Sequence, residues 1–405
     1  MKPKELRPGV YWVGAIDWDR RLFDSLIPLP DGTSYNSYLI RGSQKTVLID
    51  AVDPSMQDIS INCLTDFGIT HIDYVVANHA EQDHSGTLPR ILEIFPETRV
   101  ICTPRCKGLL IDLLMIPEEK FATVAEGDTL SLGDKTLEFI YTPWVHWPET
   151  MSTYLLEEKI LFSCDFFGSH LATTSLYVTD KGQAYDAAKR YYAEIMMPYR
   201  TTIAKNLKKL DNYAIDIIAT SHGPVYDEPE FIMKAYQTWV FDQPTNTVVI
   251  PFTSMHNSTR KMVEYLVAAL DERGVAVQQF DLEVTDLGKL AVALVEAATV
   301  VVGTPTVLAG PHPNVVSAVF LANALRPKLR FASIIGSYGW GGRTVEQLTA
   351  MMHNLKVDIL EPVLSKGFPK EPDFKALDTL AATISEKHRE NDFVWRFSRG
   401  NEKQG

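Results

Sequence analysis

The stretch VVANHAEQDH, residues 75–84, sets His79, Glu81, Asp83 and His84 close together directly behind a short apolar run. Imidazoles and carboxylates at that density can ligate metal ions. Three more residues of these kinds sit in the same kind of place: His146 follows TLEFIYTP, Asp165 follows ILFSC and His222 follows DIIAT. A single His or Asp at a strand end more often caps a turn or makes a hydrogen bond, and His170, His312, His353 and His388 read that way when taken alone. Seven such residues gathered at one edge are another matter, because burying that many titratable groups together without a cation is costly. The set is expected to hold two metal ions. Zinc hydrolysis favours imidazole-rich coordination with an open position for hydroxide. Here Glu81 raises the carboxylate count to three, with Asp83 and Asp165, and harder anionic donors tilt the pair toward redox iron. His170 follows Asp165 closely enough for a supporting hydrogen bond, and it and His84 are the expected proton carriers.

A second stretch asks for different chemistry. Ser254, Met255, His256, Asn257, Ser258 and Thr259 join an apolar strand to a helix. Hydroxyls and helix-opening N–H groups suit a dianionic phosphate without much cationic help, although the same residue types also cap helices. There is no G-x-G-x-x-G or Walker lysine motif, which speaks against a dinucleotide or a nucleoside triphosphate. Two later loops are TPTVLAGPHP (304–313), with Pro305, Thr306 and Val307, and SYGWGG (337–342), beginning at Ser337. Tyr338 and Trp340 offer faces for a planar ring, and Gly339, Gly341 and Gly342 tolerate backbone conformations that other residues resist.

The elements that must position these residues are legible from periodicity. Through the first 240 residues, short runs rich in Val, Ile, Tyr and Phe alternate with polar turns: 35–40, 46–52, 73–78, 99–103, 136–142, 159–164 and 216–221. Helical patterns at 87–95 and 183–210 interleave with them. A seam falls near DQPTNT (242–247). Beyond it, strands TVVIPF, VAVQQF, TVVVG, RFASIIG and VDILEP alternate with helices 259–273, 287–298, 313–326, 343–355 and 371–388. That alternation reads as a doubly wound parallel sheet, whose ligands belong at the carboxyl ends of the strands.

The 405 residues are 45% hydrophobic, enough for two or three full cores. With 39 basic against 51 acidic side chains, the net charge of -12 argues against nucleic acid or an anionic membrane as partner. No apolar run has the length of a signal peptide core or a spanning helix, so a cytoplasmic protein is expected. Cys63, Cys102, Cys106 and Cys164 are expected to be reduced, buried thiols, because no second pair completes a thiolate site around Cys102 and Cys106.

HAEQDH resembles the H-x-E-x-D-H signature of flavodiiron proteins. The resemblance runs over essentially the whole chain, with GAIDWDRRLFD, TSYNSYLI, VHWPETM and ATSHG in family order. Hydrolases of the same fold carry H-x-H-x-D-H, so Glu81 is the discriminating letter. The resemblance implies an α/β architecture: a metallo-β-lactamase-like αββα sandwich over 1–243, then a flavodoxin-like doubly wound sheet over 244–405. By it, His79, Glu81 and His146 would hold one iron, Asp83 and His222 the other, and Asp165 would bridge them. His84 matches the motif, and family members differ over whether it coordinates. The phosphate loop and the two ring loops would bind FMN. The implied activity is reduction of dioxygen to water, of nitric oxide to nitrous oxide, or of both. The two cofactors are expected at far ends of separate domains, which implies a head-to-tail homodimer. No rubredoxin-like cysteine module follows residue 388, so a separate donor is expected, a rubredoxin or a reduced deazaflavin.

This chain departs from the family where it reads LFDSLIPLPDG in place of a His-Gly pair, and where it reads VLAGPH in place of asparagines. Two other readings compete: a zinc-dependent hydrolase with a flavodoxin-like appendage, and a non-enzymatic electron carrier whose first domain is a docking scaffold.

Overall fold

The computed structural model describes residues 2–23 and 25–393; the last part of the expected second domain, 394–405, lies outside them. The chain divides into two compact units. One runs to Val240 apart from Ala193–Pro198, and the other takes Ala193–Pro198 and the chain from Phe241.

In the first unit, alternation along each strand builds two cores at once. Within Thr46–Ile49, Val47 and Ile49 enter one core while Leu48 enters the other. Seven strands form the first sheet, in the order Lys4–Arg7, Val10–Trp12, Tyr38–Arg41, Thr46–Ile49, Tyr74–Val76, Arg99–Cys102, Phe121–Thr123. Five form the second: Thr129–Ser131, Thr136–Tyr141, Met151–Leu155, Ile160–Cys164, Ile217–Thr220. Between the sheets, Tyr38, Ile40 and Val76 meet Phe139, Met151, Phe162 and Ile217. On the outer face of the first sheet, Leu48, Val75 and Val100 pack with Cys63, Ile91 and Leu110 from the helices Gln57–Asp66, Leu88–Ile94 and Pro104–Leu114. The helix Arg200–Leu210 buries Ile203 and Leu207, and its Asn206 and Lys209 donate to the carbonyls of Pro143 and Tyr141.

Several features of the first unit differ from the sequence expectation. The helical pattern over 183–210 is broken into Lys181–Tyr191, a wider turn at Tyr192–Met196, a short Met197–Tyr199 turn and Arg200–Leu210. Pro198 has no N–H to continue the ladder. The strands Lys4–Arg7, Val10–Trp12, Phe121–Thr123, Thr129–Ser131 and Met151–Leu155 were not anticipated, although all five residues of the last are buried.

The second unit is a parallel sheet in the order Ala276–Asp281, Thr245–Phe252, Ala297–Val307, Phe331–Tyr338, with Asp358–Ile359 and Val363–Lys366 on the last edge. The first strand in the chain thus lies inside the sheet, which makes its carboxyl end the switch point. Separate cores cover the two faces. The expected strand VDILEP is split. Ile359 pairs with Ala332 but Val363 with Ile335, so an extra residue intervenes at Pro362, which cannot donate to the ladder. His312 caps the helix Pro313–Leu325, and buried His388 is hydrogen-bonded to Thr299 and Asn246. All four cysteines are free and buried. No helix among the described residues is long and apolar enough to cross a membrane.

Candidate metal centre

The seven ligand-type residues come together. The strand Tyr74–Val76 ends just before His79, and the single helical turn Gln82–Ser85, entered at Glu81, carries Asp83 and His84. His146 follows the strand Thr136–Tyr141, Asp165 follows Ile160–Cys164, and His222 follows Ile217–Thr220. Both sheets therefore present their ends to one place.

Two groups form there. His79, Glu81, His146 and Asp165 place one potential ligand atom each within 4.8 Å of one another, and so do Asp83, His84 and His222. The Nε2 atoms of His79 and His146 lie 3.2 and 3.0 Å from Glu81 Oε2, and each is 3.4 Å from Asp165 Oδ2. The Nε2 atoms of His84 and His222 lie 3.0 and 3.4 Å from the other oxygen of Asp165, Oδ1. Asp83 turns Oδ1 to His84 at 3.3 Å and Oδ2 to His222 at 3.1 Å. One carboxylate, Asp165, thus faces both groups with separate oxygens.

Hydrogen bonds from the far side aim the rings. His79 Nδ1 meets Glu149 Oε1 at 2.7 Å, and His222 Nδ1 meets the Ser34 carbonyl at 2.8 Å. Both rings are then fixed with Nε2 inward. The same Glu149 oxygen accepts from the Ala80 N–H at 3.1 Å, which ties His79 to its own loop.

The cluster is also electrostatically unfinished. Both oxygens of Asp83, Oδ2 of Asp165 and Nε2 of His84 are buried and have charged neighbours at 3.0–3.4 Å but no aligned hydrogen bond. Burial alone would lower the basicity of His146 and His222. Asp165 and Glu81 more than offset it at His146, carrying it up to about 9; Asp165 and Asp83 carry His222 to about 10. Asp165 shows the reciprocal effect: burial opposes its charge, yet the neighbouring histidines hold it well below the usual carboxylate range. Metal cations fit this donor set, because they would take the place of those protons and complete the orphaned atoms.

His170 belongs to neither group. Its ring lies 4.9 Å from those of His222 and Tyr191 and 5.2 Å from Phe23, and its Nδ1 is 2.9 Å from Thr33 Oγ1. Its Nε2 is buried with no partner. Burial, reinforced by His222, holds it well below the ordinary imidazole range, so the ring is neutral. Sequence reasoning missed Glu149 and Tyr191, whose hydroxyl donates to Asp165 Oδ1 at 2.8 Å. Glu149 sits in the VHWPETM motif; nothing about Tyr191, inside a helix, marked it out.

In the second unit, the loop 254–259 runs from the end of Thr245–Phe252 into the helix Ser258–Asp271, with Asn257 in the left-handed region at φ 62°. Ser254 Oγ accepts from the Arg260 N–H, Thr259 Oγ1 lies 3.4 Å from Ser337 Oγ, and Thr306 Oγ1 lies 2.9 Å from Thr344 Oγ1. Met255, His256 and Ser258 share this loop and helix start. The buried Thr253 hydroxyl has no partner. Strand pairing brings Phe252 beside Gly303 and Pro305 beside Ser337, so the three loops lie at the same sheet edge. Leu308 and Ala309 make the tight turn after Val307, both left-handed, and Gly341 is at φ 127°. Trp340 is 83% exposed and Leu308 92%. Large apolar groups left open around first-turn N–H groups and an unpaired hydroxyl fit a planar ring with a phosphate tail. Tyr338, Gly339 and Gly342 stand on the same edge.

A family model described as "ODP family beta lactamase" matches residues 33–223. A protein of Moorella thermoacetica named nitric oxide reductase is 35% identical over 366 residues, covering 89% of this chain and 92% of that one. Rubredoxin oxygen:oxidoreductase of Desulfovibrio gigas superposes with a TM-score of 0.93 at 29% identity, over 97% of this chain and all of that one. The flavodiiron protein of Giardia intestinalis gives 0.90 at 26% identity, over 96% and 97% of the two chains.

Proposed function

Because the chain belongs to the flavodiiron protein family, we propose that it reduces dioxygen to water, nitric oxide to nitrous oxide, or both, at two iron ions supplied with electrons through FMN. The observation that carries this reading is the Asp165 carboxylate, with Oδ2 toward His79 and His146 and Oδ1 toward His84 and His222. His79, Glu81 and His146 would hold one iron, and Asp83, His84 and His222 the other, with Asp165 shared. Ser254, Ser258 and Thr259 with the helix N-terminus would take the FMN phosphate, and the loops 305–307 and 337–342 its ring.

When bound, the irons change valence one electron at a time, and FMN converts electron pairs into single electrons. The chain's own residues do the rest. Glu149 and the Ser34 carbonyl keep the imidazoles of His79 and His222 oriented. Phe23, Tyr35 and Trp147 pack against the ring edges of the cluster and restrict water. Neutral His170 keeps one ring nitrogen on Thr33 and the other without a protein partner, so it can pass on a proton without adding a cation beside His222. The Tyr191 hydroxyl holds Asp165 Oδ1 in place.

A rubredoxin is the proposed electron donor, and a homodimer in which one chain's flavin serves its partner's irons is the proposed assembly. The decisive experiment loads the full chain with iron and FMN, reduces it anaerobically with rubredoxin or a reduced deazaflavin, and mixes it with each gas. Gas consumption that needs both cofactors supports the reading. An inactive, zinc-only protein would overturn it in favour of the hydrolase.

A further inference from the structure

The strand Val363–Lys366 closes the sheet of the second unit beside Phe331–Tyr338, with Lys366 paired to Tyr338. The Gly367 N–H donates to the Tyr338 carbonyl at 2.8 Å, so the segment after the strand starts alongside the loop 337–342. Phe368 and Trp340 both stand two residues past that last pair. The segment is pinned in place. Asp373 Oδ2 accepts from the Ser365 hydroxyl at 3.0 Å and from the Lys370 N–H at 2.8 Å, and Gly367 makes the bend at φ 80°. Phe368 is nevertheless 57% exposed, and Leu364 on the closing strand is exposed as well. Lys366 and Lys370 bracket Phe368, and Arg343 follows the glycines at the far end of the loop. All three cations are exposed and form no ion pair among the described residues. The acids of the adjoining helix are engaged elsewhere: Asp373 holds the turn, and Glu371 lies 3.7 Å from Lys375.

We propose that Phe368, Lys366 and Lys370, with Arg343 across the loop, form the docking surface for a small acidic electron-carrier protein. The inference rests on the proposed entry of electrons through FMN and deepens it by giving the donor a place to bind. Charge selects the occupant. The chain as a whole carries -12, so an acidic partner is repelled over most of it and steered to this cationic edge. One exposed aromatic ringed by a few charges suits a small, transient interface rather than a permanent one. A lysine on an edge strand also deters pairing with another sheet, but that role gives no reason for an exposed phenylalanine on the turn that follows. Each encounter passes one electron from the carrier's reduced iron to the flavin. Two encounters, with two protons from solvent, reduce the flavin fully and leave two oxidised carriers.

The test titrates the full chain, with FMN and iron bound, against rubredoxin carrying zinc in place of iron, which binds without passing electrons. The dissociation constant is expected to rise at least about tenfold between about 0.02 and 0.3 M salt. The pair Lys366→Glu and Lys370→Glu should raise it about tenfold at low salt and flatten that dependence. Phe368→Ser should raise it with the salt dependence kept. FMN content should stay unchanged in every variant, and flavin reduction by iron rubredoxin should slow in step with binding. Binding that ignores salt, or that survives K366E/K370E, would overturn the proposal. So would a change of oligomeric mass in K366E/K370E, which would assign the patch to a second copy of this chain. Should that pair fail to fold, K366Q/K370Q decides, with a smaller loss of affinity expected and none overturning the proposal. Binding is read without gas turnover, so the two readings fail separately. Gas consumption fed by a reduced deazaflavin can persist while zinc rubredoxin does not bind, which overturns the docking surface alone. Salt-dependent binding in a chain that consumes neither gas supports the docking surface and counts against the two-iron reading.

Discussion

Replacing Glu149 with alanine removes an acceptor that holds two donors at once, His79 Nδ1 at 2.7 Å and the Ala80 N–H at 3.1 Å. Burial raises the carboxyl, but His79 and the hydrogen bonds it accepts outweigh that and keep it below its ordinary range, so it is charged when it holds the ring. A hydrogen bond to a charged group contributes about 1.5–3 kcal/mol. Outer partners of ligating histidines typically change metal affinity by about 10–100-fold, which is about 1.4–2.8 kcal/mol. The two ranges agree, so E149A is expected to weaken the ion held by His79, Glu81 and His146 by that factor. The ion at Asp83 and His222, which Glu149 does not touch, should be affected much less. Glu149→Gln keeps an acceptor for Nδ1 but loses the charge, and should fall between. The assay is anaerobic titration with ferrous ion against a competing chelator, which separates the two binding steps. If E149A binds both ions as tightly as the parent protein, the orienting role assigned to Glu149 is wrong.

Asp165→Asn should lower the metal content of the chain by at least half, since the carboxylate facing both groups loses its charge and one of its two oxygens; elemental analysis of purified protein checks it. Gly336→Ala would place a Cβ 1.9 Å from the Thr304 carbonyl oxygen, inside paired backbone, and is expected to destabilise the second unit by about 3 kcal/mol and weaken flavin binding, read by urea unfolding and flavin fluorescence. Burial lowers His388 from 6.5 to about 4. Its neutral, hydrogen-bonded form therefore stabilises the fold above pH 6.5, and that stability is lost as the pH falls to about 4, because the unfolded chain takes up the proton first. The full loss is on the order of 3 kcal/mol. Unfolding midpoints between pH 7 and 4 should drop more steeply in the parent than in His388→Gln.

Much of the metal cluster was legible because each ligand-type residue follows an apolar run, and strand ends of a layered sheet share an edge. His79, His146, Asp165 and His222 needed only that rule to be drawn together. The parallel sheet of the second unit was legible for a similar reason: strands buried on both faces leave continuous apolar text. What escaped depends on three-dimensional partner choice. Glu149 and Tyr191 matter through a single hydrogen bond each, and no spacing along the chain encodes which carboxylate or ring nitrogen they will meet. The left-handed turn at Leu308 and Ala309 carries neither glycine nor asparagine, so turn chemistry gave no signal there. The broken helix over 183–210 kept its apolar period through Pro198, and the period outweighed the proline in the reading.

The shared carboxylate of Asp165 has a consequence for how the protein matures. Its neighbours are contributed from both sheets, and more than half of the first unit's chain lies between His79 and His222. A nascent or half-assembled polypeptide thus owns fragments of the coordination sphere but never a complete one. On the proposed two-iron reading, iron that could generate damaging radicals would be captured only by molecules whose two layers have already closed, so ion uptake would act as a checkpoint on assembly rather than as its scaffold.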